Sequence, residues 1–114
     1  MSIIDHSRLE SLKSVTGESF RPIISTYVED TGSKLCLIKS ALQTHDTGLI
    51  SELLHSIKGS SINVGATMMA SLCENYESRL SLDDQGYIRD MLISLEQTFQ
   101  NTQAQLRKIS SEML

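Results

Sequence analysis

The sequence predicts an all-α protein: an antiparallel up-down four-helix bundle with a short additional N-terminal helix. Three observations predict it. Apolar residues recur at alternating spacings of three and four over long runs, the period of a helix with one buried face. No segment shows the strict alternation of a half-buried strand. The single proline, Pro22, falls near a helix start, and the turns between runs are short, so consecutive helices lie antiparallel.

Asp5 is placed to cap the short first helix, whose apolar positions are Leu9, Leu12 and Val15, and Gly17 ends it. Ser19 opens the second. Its stripe is Phe20, Ile23, Ile24, Tyr27, Val28, Thr31, Leu35, Ile38 and Leu42, with Gly32 weakening the middle and allowing a bend. The run "THDTG" breaks the pattern, and Asp46 caps the third helix. Leu49, Ile50, Leu53, Leu54, Ile57 and Val64 form its apolar face, with Ser60 and Ser61 as small residues on the same side. Gly65 stands where a C-terminal glycine belongs. The fourth helix carries Met69, Leu72, Cys73, Tyr76 and Leu80. After the turn "SLDDQG", where Asp83 and Asp84 are expected to cap, the last helix runs through Ile88, Met91, Leu92, Leu95, Phe99, Thr102, Leu106, Ile109 and Met113.

A chain of 114 residues without linker, repeat or low-complexity tract reads as one domain, 1–114. Hydrophobic residues are 39% and charged residues 21%, which excludes disorder; with no Trp and few aromatics, the core must be aliphatic. A net charge of −4 with scattered lysines and arginines argues against nucleic acid as a partner. The N-terminus lacks the basic and apolar regions of a secretory signal, and no apolar run approaches the roughly 18 residues of a membrane span. A cytoplasmic location without membrane attachment is expected. Cys36 and Cys73 are far apart and form no CxxC pair; both are expected to be reduced thiols packed as small hydrophobes.

The stretch "LLHSIKGSSINVGA", Leu53 to Ala66, carries the chemistry. Gly59 in a helix interior costs roughly 1 kcal/mol relative to alanine. On a helical wheel His55 falls roughly 170° from the middle of the apolar stripe, so it points to water. Residues three, four and seven apart share a helix face. On that face Gly48, Ser51 and Gly59 are small and leave the ring unobstructed, Lys58 lies one turn on, and Ile62 is an apolar side chain on the wet side. The combination reads as a docking patch that lets another protein reach an imidazole. An imidazole with an ordinary pKa near 6.5 is largely neutral and nucleophilic at cytoplasmic pH and can carry a phosphoryl group. Lys58 supplies a cation to offset the new charge. Gly59 leaves room for the phosphate and the approaching partner.

The motif resembles that of the histidine-containing phosphotransfer (HPt) domain family: His-x-x-Lys-Gly, two small residues, then Gly-Ala a few positions on. His55, Lys58, Gly59, Ser60, Ser61, Gly65 and Ala66 all match. The resemblance implies a helical bundle of this length and a bacterial-type role in a multistep two-component phosphorelay; starting at Met1 and filling one domain, the chain is expected to be a free-standing carrier. It implies His55 as phosphoacceptor, Lys58 as the stabiliser of phosphate charge, and Glu77 as the residue that orients the imidazole through its other nitrogen. It implies a phosphocarrier without ATP site or kinase activity. Such a carrier accepts phosphate from a receiver-domain aspartate or a hybrid sensor kinase and passes it to a response-regulator receiver. No resident cofactor is expected, because Mg²⁺ comes with the receiver. A carrier that must be met by two partners in turn is expected to be a monomer.

Two other readings compete. Glu52 and His55 have the i, i+3 spacing of di-iron bundles, but a second such motif is missing and His55 faces out. A helical adaptor would bind signalling partners through Ile62 without being phosphorylated. His6 and His45, near helix ends, are expected to be solvated.

Overall fold

The structure is a computed structural model that describes residues 2–80 and 85–111. Asp83, Asp84 and Met113 lie outside the described residues. Among the described residues the order is α1 (His6–Thr16), a 3₁₀ turn (Gly17–Ser19), α2 (Phe20–Gln43), α3 (Thr47–Asn63), α4 (Thr67–Arg79) and α5 (Gln85–Ser111), with no strand. Helices α2 to α5 form the bundle: α3 packs between α2 and α4, and α5 closes it against the same two helices. The fold matches the sequence prediction, α1 being the additional helix.

The two expected aspartate caps form. Asp5 accepts the Arg8 N–H at 3.1 Å and Asp46 accepts the Leu49 N–H at 3.0 Å, each satisfying an orphan donor of a first turn. Ser19 does not cap; its backbone is helical and a 3₁₀ turn leads straight into Phe20. Helix α2 continues through Gly32 as one element.

Helix α3 ends as the glycine predicted. Gly65 takes φ +73°, its N–H bonds the Ile62 carbonyl, and the Ala66 N–H bonds the Ser61 carbonyl. This is a Schellman closure, which needs a left-handed residue. A side chain at Gly65 would also meet the Asp5 carbonyl at 3.0 Å. The reason is a strap that the sequence did not announce. Residues 3–5 lie along the α3–α4 turn, with Asp5 N–H bonded to the Gly65 carbonyl at 2.8 Å and the Ile3 carbonyl accepting from Met68 at 3.2 Å. Helix α4 has no side-chain cap, so the Ile3 carbonyl takes one of its orphan donors. Ile4, at the centre of the strap, is 1% exposed.

The core is aliphatic, as expected: Ile24, Ile38, Ile50, Leu54, Ile57, Met69, Leu95 and Leu106 are fully buried around Phe20. Each such side chain contributes roughly 1.5–3 kcal/mol of burial. One polar pair sits among them, the Tyr27 hydroxyl 2.7 Å from the Ser61 hydroxyl, joining α2 to α3. Burial pushes the Tyr27 phenol up to about 12, with the bond to Ser61 offsetting part of the rise.

Three apolar assignments are corrected. Val15 is 85% exposed, because α1 meets the bundle through Leu9 and in part Leu12, and its last turn has left it. Leu49 is 37% exposed, at the rim of the α3 stripe in the first turn. Cys36 is exposed, since it stands one position past buried Leu35 and is rotated off that stripe. Cys73 is buried as expected, and both thiols are free.

Candidate functional site

Helix α3 needs only one face to hold it. Ile50, Leu53, Leu54, Ile57 and Ser61 are buried against α2 and α4. The opposite face is therefore free to carry residues chosen for chemistry. His55 stands on it with its side chain 75% exposed. The outward direction read from the wheel is the observed one.

Among the described residues the ring has one charged partner in reach. Its Nδ1 lies 3.5 Å from Glu77 Oε1 on α4, and the Glu77 side chain is largely covered. A carboxylate accepts only, so the proton of a neutral imidazole belongs on Nδ1 and the lone pair on Nε2. At 3.5 Å the contact is a loose one that steers the ring rather than clamping it.

Lys58 leaves the outer face and crosses toward α4, where its Nζ lies 3.5 Å from Glu74 Oε1. The sequence reading did not find Glu74. A signal existed: α3 and α4 are antiparallel, so if His55 meets Glu77, then three residues forward on α3 meets three residues back on α4. The two contacts are rungs of one ladder. On the other flank Lys34 of α2, also not foreseen, donates to Ser56 Oγ and pairs with Asp30, both at 2.6 Å.

The clearance around the ring is as expected. Gly48 and Gly59 are exposed and Ser51 is half-buried. A Cβ built on Gly59 meets nothing within 4 Å, and one on Gly48 meets only Asp46 Oδ1 at 3.7 Å. Neither glycine is demanded by packing. Ile62, two turns beyond His55 on the same face, is 52% exposed. The structure thus brings His55, Lys58, Gly59, Glu77 and Ile62 onto one open surface, with Gly48 and Ser51 on the N-terminal side.

Cys73, one turn before Glu77, is fully buried, and burial together with the Glu77 charge pushes its thiol up to about 12. It stays a neutral packing group beneath the site. His55 points away from the bundle interior, which removes the inward geometry a di-iron centre requires. Among the described residues no group of three His, Cys, Asp or Glu is arranged to hold a metal. Among them, too, no helix is long and apolar enough to cross a membrane. His6 and His45 are exposed, the latter at φ +55° in the α2–α3 turn.

Known proteins resemble this chain in sequence and in fold. The Hpt domain profile matches residues 22–109. Multistep phosphorelay regulator 1 of Schizosaccharomyces pombe is 33% identical over 88 residues, covering 71% of this chain and 30% of that protein. The chain thus spans less than a third of that relative's length. Among solved structures, histidine-containing phosphotransfer protein B from Pseudomonas aeruginosa PAO1 has a TM-score of 0.90 over 96% of each chain at 24% identity, a likeness of fold.

Proposed function

The chain belongs to the Hpt domain family, and from that premise we propose that His55 is its phosphoacceptor. Its function is histidine phosphotransfer in a multistep phosphorelay. Hpt domains are phosphocarriers rather than kinases, and their partners are receiver domains and kinases. For this chain the reading is a carrier without kinase activity of its own. It acts as a monomer and one domain in the cytoplasm, loaded by a receiver aspartate or a hybrid sensor kinase and discharged onto a response-regulator receiver.

One observation carries the assignment: the 75% exposed imidazole with Nδ1 turned to Glu77 and no shoulder at Gly59. In the forward step the Nε2 lone pair attacks the phosphorus of an aspartyl phosphate. The Nε2–P bond forms as the acyl O–P bond breaks, and the aspartate carboxylate leaves with the electron pair. The Nδ1 proton stays on the ring, facing the Glu77 carboxylate, which offsets the positive charge the ring acquires. Phosphoryl transfer passes through a loose transition state, so alignment and charge do most of the work. Lys58 provides a mobile cation for the phosphoryl oxygens. Any Mg²⁺ taking part comes with the receiver.

The test is incubation with a phosphorylated receiver domain. The expected product is an acid-labile, alkali-stable phosphate mapped to His55, absent in His55→Gln, whose thermal melt is unchanged because the side chain is exposed. Phosphate on another residue, or undiminished labelling of His55→Gln, would refute the assignment. An adaptor would instead work normally with glutamine at this position.

A further inference from the structure

The Lys58–Glu74 rung has a consequence for the loaded carrier. Across the α3–α4 ladder Glu74 faces the Lys58 ammonium and Glu77 faces the His55 ring, so with the ring neutral the two rungs together are net negative before any phosphate arrives. Lys34, a further cation beside α3, is engaged with Asp30 and Ser56. Within the rung the Glu74 side chain is 70% exposed and that of Lys58 only 28%, so Lys58 is folded down toward α4 and not extended beside the ring. A lysine has a long flexible stem, and an ion pair this exposed is weak enough to exchange partners.

We infer that Glu74 is a positioning residue: it holds Lys58 in the empty carrier and competes with phosphohistidine for it in the loaded one. It thereby keeps the loaded form only mildly stable and sets how far the transfer equilibrium lies toward the next acceptor. This rests on His55 being the phosphoacceptor. A carrier must release what it takes, and a cation committed wholly to the phosphate would oppose release. Exposed ion pairs contribute little, so freeing Lys58 from Glu74 shifts the equilibrium by at most about fivefold.

The experiment needs no receiver. N-phosphoimidazole is equilibrated with the chain: the donor P–N bond breaks as the Nε2–P bond forms, the ring-protonated donor leaves as neutral imidazole with the bonding pair, and the Nδ1 proton stays on His55. Loaded and empty protein are measured by ³¹P NMR. Glu74→Gln is expected to raise the loaded-to-empty ratio roughly two- to fivefold at low ionic strength. The rise is expected to shrink toward the wild-type ratio at about 1 M salt, where surface charges are screened, and to be absent in a Lys58→Gln background. A purely structural role would produce neither dependence. An unchanged ratio at low salt, or the same rise without Lys58, would overturn the inference. Equal loading of His55→Gln would instead overturn the phosphoacceptor assignment, a separate result.

Discussion

Gly59→Ala separates folding from function at a single atom. The glycine sits inside α3, where it costs roughly 0.8–1 kcal/mol relative to alanine. An added Cβ meets nothing within 4 Å, so no native strain subtracts from that gain. The substitution is therefore expected to stabilise the chain by about 1 kcal/mol. With an unfolding entropy of about 2.1 cal/mol/K per residue, this raises the Tm by roughly 4 °C for 114 residues. The same methyl stands one turn from His55, where a receiver must approach. Gly59→Leu enlarges the obstacle, and overpacking a close contact costs roughly 1–3 kcal/mol, or about 5- to 150-fold in affinity. Thermal melts and receiver titrations of both variants check the pair. Gly32→Ala is the control: its Cβ makes ordinary contact with Phe99 at 3.8 Å on the core side, so it should stabilise without touching transfer. If Gly59→Leu bound receiver as tightly as the wild type, the glycine would not be there for clearance. If Gly59→Ala lowered the Tm, the account of α3 itself would be wrong.

Glu77→Ala should slow transfer roughly two- to fivefold, the range of a loose, partly exposed charge contact, and Glu77→Gln should recover part of it; stopped-flow transfer rates decide, and an unaltered rate in the alanine variant would remove Glu77 from the site. A thiol reagent should modify Cys36 in the folded protein and Cys73 only after denaturation, which intact mass reads as one adduct and then two. Stability should fall in alkali. The Cys73 thiol rises from 9.0 and the Tyr27 phenol from 10.0, both to about 12, so the native state holds protons that the unfolded chain releases first. The contribution is intact below pH 9 and is lost between pH 9 and 12, by up to about 1.4 kcal/mol per pH unit for each group. Urea midpoints at pH 8, 10 and 11 measure it, and Tyr27→Phe should flatten the part above pH 10.

What the sequence made legible depended on local rules. Asp5, Asp46 and Gly65 act within four residues of themselves, through caps and a left-handed turn, and all three are found where the pattern put them. His55 was legible because a wheel needs only the helix it is drawn on. The misses share a cause: they depend on which element lies opposite. Val15 and Leu49 have the right spacing but nothing to cover them, and Cys36 lies beside a stripe rather than on it. Ile4 is buried by a strap of backbone hydrogen bonds to a turn some sixty residues away, which no periodicity encodes. Lys34 and Glu74 reach α3 from neighbouring helices, and their roles follow only from register.

The division of α3 into two faces explains how a helix can hold two glycines, Gly48 and Gly59, and an outward histidine yet remain firmly packed. Helix α3 lies between α2 and α4 and buries Ile50, Leu53, Leu54 and Ile57 against them. The Tyr27–Ser61 hydrogen bond adds a directional tie where apolar packing alone permits sliding. At its ends Asp46 caps one turn and the Gly65 closure, bound by the N-terminal strap, fixes the other. Burial of four aliphatic side chains at roughly 1.5–3 kcal/mol each outweighs the roughly 1 kcal/mol lost at Gly59 in the helix interior. The outer face is thus released from any duty in folding. Its small residues can be set by what must approach, and its charged ones, His55 with Glu77 and Lys58 with Glu74, by what must be held and released. If that separation holds, Tyr27→Phe, which loosens the inner face, should lower stability by roughly 0.5–1.5 kcal/mol while leaving the transfer rate of the folded fraction unchanged. A transfer rate that fell with the stability would show that the two faces are coupled after all.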